Sequence, residues 1–154
     1  MANIEVSQFK GENNWALLLD PDGFIAEGTG DNFFIVKNKV LITPEGRNIL
    51  RGISRAYIFE LAAQLGLKCI EKNIEPYDVY VADEAFMSGT PFCLLPVTGL
   101  NGTAIGNGKP GKITEMLLKR WGNNVGVDIV KQIKAFNAEL KSSKAAPTPY
   151  RFVE

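Results

Sequence analysis

In the first third of the chain, apolar positions come in short runs separated by turn residues. WALLL (15–19) closes on Asp20-Pro21-Asp22-Gly23, a tight-turn signal in which Gly23 can take positive φ, and Phe24 to Ala26 resumes the apolar pattern. This predicts a hairpin. Phe33 to Val36 and Val40 to Ile42 flank Lys37-Asn38-Lys39, where Asn38 tolerates left-handed geometry, and a second hairpin is predicted to stop at Pro44. The period then changes. Ile58, Leu61, Ala62 and Leu65 recur three and four residues apart, predicting a helix over Gly52 to Leu65 with Gly66 just past its end.

Lys68 to Ile74 reads as a strand, and Pro76 opens a turn or short helical piece. Glu84 to Met87 and Cys93 to Val97 read as strands interrupted by Ser88-Gly89-Thr90-Pro91, and Asn101 to Gly111 is rich in turn residues. Helices are predicted over Lys112 to Trp121 and Asp128 to Leu140, with an irregular, Pro-containing tail over 142–154. Strands and helices that do not alternate strictly predict an α/β domain of mixed α+β character, over residues 1–141. A doubly wound dinucleotide fold is excluded, because Gly28-Thr29-Gly30 lacks the third glycine of that fingerprint and leads into a strand.

Composition narrows the function. With 45% hydrophobic residues the 154-residue chain can bury a core of its own. Lys plus Arg and Asp plus Glu are equal at 17 each and interspersed, so no basic face for nucleic acid is expected. The polar start MANIEVSQ is unlike a signal peptide, and no run approaches the roughly 18 apolar residues of a membrane helix. A cytoplasmic protein with no membrane contact is expected. Cys69 and Cys93 lie in apolar surroundings without metal-site spacing and read as small core residues. The chain contains no histidine, which removes Ser-His-Asp triads, Cys-His pairs and imidazole acid-base chemistry together. Chemistry must come from carboxylates, Lys, Tyr, hydroxyls or a bound cofactor.

Three small-residue turns could supply it: EGTGDN (27–32), LRGIS (50–54) and SGTP (88–91). In LRGIS, Gly52 precedes a predicted helix, so the N–H groups of Ile53 and Ser54 and the Ser54 hydroxyl form a phosphate cradle, while the plainer reading of these residues alone is that Ser54 caps the helix. SGTP is an anion site or a plain loop. Arg51 and Arg55 flank the cradle as anion partners or as a solvated helix end. Asp83 and Glu84, adjacent on a strand, face opposite ways and serve separate polar contacts. Trp121 and Phe136 read as core. Glu27, placed in a turn, is a solvated loop residue or a carboxylate that raises the pKa of a neighbouring ring nitrogen. A pyridine kept protonated in that way is an electron sink, the protein contribution that pyridoxal phosphate needs along with a phosphate cradle and a lysine.

FIAEGTGDNFFIVKNKVLITP, ILRGISR, ADEAFMSGTP and LPVTGLNGTAIGNGKPGKIT, in that order, resemble the C-terminal domain of the class IV (fold-type IV) pyridoxal-phosphate aminotransferases. The resemblance implies a mixed, partly barrel-like sheet with flanking helices, a homodimer, pyridoxal 5'-phosphate as cofactor, and amino-acid and keto-acid substrates. It implies Glu27 at the pyridine nitrogen, Leu50 against a ring face, and Gly52, Ile53, Ser54 and Thr90 around the phosphate. Gly89, Thr90 and Pro91 are implied where the substrate carboxylate arrives, and Asn32 is implied to be structural. The family's Schiff-base lysine lies upstream of the position of Glu27. Lys10, the only lysine before Glu27, stands at the wrong distance and reads as solvated.

The expectation is therefore half a site: a chain starting at an internal methionine or a truncation, without its N-terminal domain or a catalytic lysine, and inactive alone. Within the family, transamination of a branched-chain or related amino acid with 2-oxoglutarate is expected. A D-amino-acid or R-amine transaminase and an aminodeoxychorismate-lyase-like enzyme stay open, because Pro91 and Phe92 follow Thr90 where branched-chain enzymes often carry small residues. A non-catalytic anion-binding or dimerisation module is the rival from another class.

Overall fold

The computed structural model describes residues 1–9 and 13–142; Lys10 and the tail from residue 143 lie outside them. The chain divides into two compact units, residues 1–118 and 119–154. Among the described residues, the first holds every strand: β1 (Leu17–Leu19), β2 (Ile25–Gly28), β3 (Asn32–Lys37), β4 (Val40–Thr43), β5 (Lys68–Glu71), β6 (Glu84–Gly89), β7 (Cys93–Val97), β8 (Gly99–Leu100) and β9 (Thr103–Ala104). It also holds α1 (Ala2–Ser7), α2 (Ile53–Gln64), α3 (Pro76–Tyr80) and the start of α4 (Lys112–Val125); the second holds the rest of α4 and α5 (Ile129–Ser142).

Local chemistry explains the hairpins. The Asp20 carboxylate accepts the N–H groups of Asp22 (3.0 Å) and Phe24 (2.9 Å), an Asx turn that leaves Gly23 at φ +88° between β1 and β2. Asn38 and Lys39 both adopt positive φ (50° and 63°), so the β3–β4 turn matches the twist of its strands. β4 pairs in parallel with β5, and α2 makes the crossover between them. The other pairs of the seven-stranded sheet are antiparallel, which gives the mixed sheet with flanking helices expected from the sequence.

β3 is the hub. One of its edges pairs with β6 from Asn32 through Val36, while β4 takes Ile35 to Lys37 and β2 meets Asn32. Its middle is the core: Phe33, Phe34, Ile35 and Val36 are buried, and Phe34 stacks on Phe86 of β6 at 4.9 Å between centroids. Ile25, Ile74, Val79, Ala85, Met87 and Ile105 close one face of this core.

Several expectations are corrected. The polar N-terminus forms the short helix α1, and the turn-rich stretch after Gly99 contains the small β8–β9 hairpin. β5 ends at Glu71, three residues before Ile74, and α5 runs to Ser142. Cys69 and Cys93 are half-buried free thiols at the sheet margin, not core residues, because β5 and the start of β7 lie away from the centre; burial still pushes Cys69 up to about 12, against the lowering by the charge of Arg55. Phe136 is 54% exposed on α5, whose Val130 and Ile133 are exposed as well. Within the second unit, Gly126 at φ +71° ends α4, and Asp128 caps α5 by accepting the N–H of Lys131 at 2.9 Å. Among the described residues no helix is long and apolar enough to cross a membrane.

Candidate active site

At one end of the β3–β6 core the side chains turn polar and a cleft of about 140 Å³ opens. It gathers residues from all three turns singled out in the sequence: Glu27, Leu50, Gly52, Ile53, Ser54, Gly89 and Thr90 line it, together with Thr29, Asp31, Asn32 and Ser88. Pro91 is not among its lining residues; it sits exposed on the turn beyond Thr90.

Glu27 stands at the end of β2, not in the turn that follows, and strand geometry determines what it faces. Its Cα partner is Asn32 of β3, so the two side chains share a face, and Asn32 Nδ2 donates to Glu27 Oε2 at 3.0 Å. The Leu50 N–H donates to the same oxygen at 2.9 Å, while Asn32 Nδ2 also donates to the Leu50 carbonyl at 2.8 Å. Asn32 thus locks the carboxylate and the chain before α2 together. Both bonds fall on Oε2, and Oε1 takes none among the described residues.

The start of α2 lines the same cleft. Its N-cap is Gly52, no side chain caps it, and its first turn carries no acid, so the N–H groups of Ile53 and Ser54 and the positive end of the helix dipole are left uncompensated. Ser54 is a cleft residue inside the helix and not its N-cap. A Cβ at Gly52 would lie 2.4 Å from Asn32 Oδ1, so this close approach requires glycine. Leu50 is 74% and Ile53 90% exposed, which rules out a core role for Leu50 and leaves two bare apolar side chains at the lip of a polar cleft.

Arg55 does not face the cleft's anion position and is not solvated. It is buried, donating to the Pro44 carbonyl at 2.9 Å, pairing with Glu71 and lying over the Phe59 ring. A buried guanidinium is stable only when partnered, and this one ties α2 to β5. Asp83 and Glu84 serve separate contacts: Asp83 accepts the Asn38 N–H at 2.7 Å, and Glu84 binds the start of α4.

Thr29, Gly30, Asp31, Asn32 and Ser88 line the cleft without being marked as ligand contacts in the sequence, and the last three bear on its chemistry. Asn32 read as structural and proves to be the brace of Glu27. Asp31 is 7% exposed with an unpartnered Oδ1, and burial raises its carboxyl above the ordinary carboxylate range, opposed by the Gly30 N–H and reinforced by the charge of Glu27. Ser88 is 1% exposed, and its hydroxyl has no partner among the described residues. A hydroxyl closing a buried strand run, as in Glu84-Ala85-Phe86-Met87-Ser88, was the available signal.

The amino-transferase class IV family model matches residues 1–100, and the chain belongs to that family. The branched-chain-amino-acid aminotransferase of Pseudomonas aeruginosa is 46% identical over 106 residues, covering 69% of this chain and 34% of that one. Its Escherichia coli counterpart is 40% identical over 102 residues, 66% of this chain and 33% of that one. A branched-chain aminotransferase from Thermobaculum terrenum, solved in its PLP form, superposes with a TM-score of 0.74 at 34% identity, covering 81% of this chain and 41% of that one. Another branched-chain aminotransferase, from T.th., was solved with pyridoxamine 5'-phosphate and gives 0.67 at 33% identity, over 70% and 36%. The chain therefore spans about a third of the length of the curated relatives it matches. Class IV aminotransferases are pyridoxal-phosphate dependent.

Proposed function

We propose that this chain carries the ring-nitrogen and phosphate half of a pyridoxal-phosphate site. As part of a longer aminotransferase it would exchange the amino group of a branched-chain or related amino acid with 2-oxoglutarate. The observation that carries this reading is the pairing, across one cleft, of a braced carboxylate with an uncapped helix start. A group with a basic ring nitrogen and a phosphate matches both ends in charge. Two unpartnered buried polar atoms, Asp31 Oδ1 and Ser88 Oγ, also support a ligand here, since a lone buried polar group costs about 1–3 kcal/mol.

Glu27 would hold the proton on the ring nitrogen, Asn32 and the Leu50 N–H would aim that carboxylate, and Leu50 would cover an apolar face. Gly52, Ile53, Ser54 and Thr90 would take the phosphate, while Gly89 and Thr90 would meet the substrate carboxylate. When bound, the cofactor supplies the electron sink for bonds breaking at the substrate Cα. The protein's share is charge placement and orientation. No lysine is among the described lining residues, so in this reading the lysine that moves the Cα proton comes from elsewhere in the enzyme. The reading includes a cytoplasmic homodimer, and sedimentation of the purified protein checks its oligomeric state.

Equilibrium dialysis against pyridoxal 5'-phosphate tests the core of it. Retention that survives in the wild-type chain, falls at least about tenfold in Glu27→Gln, and leaves no adduct on borohydride reduction is the expected result. A borohydride-stable adduct on one cleft-facing residue would remove the claim that the lysine lies elsewhere. No retention at all would favour a module without cofactor.

A further inference from the structure

β-Sheet register sets three polar residues in a line. Glu27 of β2 is the Cα partner of Asn32 of β3, and Asn32 is in turn the partner of Ser88 of β6. Directly opposed residues of an antiparallel pair point to the same face, and the Asn32–Glu27 hydrogen bond shows that this face is the cleft floor. Carboxylate, amide and hydroxyl thus form one row across three strands. Two members are tied to each other and to Leu50 by hydrogen bonds. The third, Ser88 Oγ, is fully buried, borders the cleft and has no hydrogen-bond partner among the described residues. The other side chains of β6 between Ala85 and Met87 are apolar core, so a serine here adds nothing to packing that alanine would lack.

We infer that Ser88 is a ligand-positioning residue, whose hydroxyl bonds an oxygen or nitrogen substituent on the ring held by Glu27, two strands away along the cleft floor. The inference rests on the cofactor reading above. Two strand spacings are about 10 Å, a span that one substituted ring bridges once the side chains at both ends reach inward. A ring held at one edge by Glu27 can still swivel in its plane; a second hydrogen bond along the same row fixes its orientation and excludes rings that lack a polar substituent there. Leu50 and Ile53 supply apolar contact and the helix start recognises charge, so Ser88 adds to the bond from Glu27 a second hydrogen bond directed at the ring.

The test titrates pyridoxamine 5'-phosphate and, separately, inorganic phosphate into the 154-residue chain, followed by phosphorus NMR, and compares wild type, Ser88→Ala and Glu27→Gln. Thermal melts run alongside. Ser88→Ala should weaken pyridoxamine 5'-phosphate about tenfold, leave inorganic phosphate unchanged, and melt at or above the wild-type temperature, because it deletes an unpartnered buried hydroxyl. Unchanged affinity for pyridoxamine 5'-phosphate, or a clearly lower melting temperature, overturns the inference; the second outcome would make the hydroxyl structural. If Glu27→Gln loses binding while Ser88→Ala keeps it, only Ser88 is misassigned. If the wild type does not bind, or Glu27→Gln binds equally well, the cofactor reading fails and this inference falls with it.

Discussion

Two helices of the first unit begin beside a glutamate from a neighbouring strand, and only one of them is closed by it. At α4, Glu84 reaches from β6 so that Oε1 accepts the Ile113 N–H at 2.9 Å, and Oε2 accepts the Thr114 N–H and hydroxyl, both at 2.8 Å. At α2, Glu27 turns its bonded oxygen to Leu50, three residues ahead of the helix, and the helix start keeps its free donors. The same electrostatic demand is met internally in one place and left open in the other. A closed helix start contributes stability, and an open one beside a cleft contributes affinity for an anion.

The widest break in that comparison is Glu84→Gln. It removes the charge from three hydrogen bonds at a partly buried site, and urea unfolding should register a loss of about 2–3 kcal/mol with no change in phosphate affinity. A loss that falls on ligand binding instead would mean that α4 and α2 do not divide the two tasks. The converse change, Ser54→Asp, places an acid in the first turn of α2. Melting should show a gain of about 0.5 kcal/mol, and inorganic phosphate should bind at least about tenfold more weakly.

Asp31→Asn probes the cost of keeping the cleft polar. The folded-state pKa of Asp31 is raised, chiefly by burial. Its contribution to stability is therefore complete below the ordinary carboxylate value and is lost as pH rises through the raised folded value. The amide does not titrate, so the variant should gain on the wild type as pH climbs from the ordinary carboxylate value through the raised folded one. Parallel pH-melting curves for the two proteins would contradict it. The smallest effect concerns the layer behind α2, where the Cys69 thiol, pushed up to about 12 by burial, should resist alkylation by iodoacetamide at about pH 8 in the folded state and react freely in urea. Mass spectrometry of the modified peptide reads both.

Much of the fold was legible because its signals are local. Gly23 and Asn38 mark turns by their backbone conformation, Gly66 ends α2 at φ +67°, and the three-and-four spacing from Ile58 to Leu65 needs no partner to be recognised. Local signals marked the three turns and the family resemblance named the site candidates within them, and Glu27, Leu50, Gly52, Ile53, Ser54, Gly89 and Thr90 do converge on one cleft. What was not legible depends on neighbours far along the chain. Arg55 reads as a helix-end charge until Pro44 and Glu71 enclose it, and Leu50, placed against a ring face by resemblance, keeps a core alternative until the fold leaves it bare.

The amino-acid sequence by itself determined the order of the main strands and helices, the hairpin turns, the family, and the absence of any imidazole chemistry, since each of these is written in residue identity and short spacing. Tertiary structure alone decided that Glu27, Asn32 and Ser88 stand in one row, that Glu84 closes α4 while α2 stays open, and that two polar atoms of the cleft lack partners among the described residues. Those facts follow from strand register and crossover, which bring residues far apart in the chain side by side, and no local pattern encodes which side chain such a pairing will oppose.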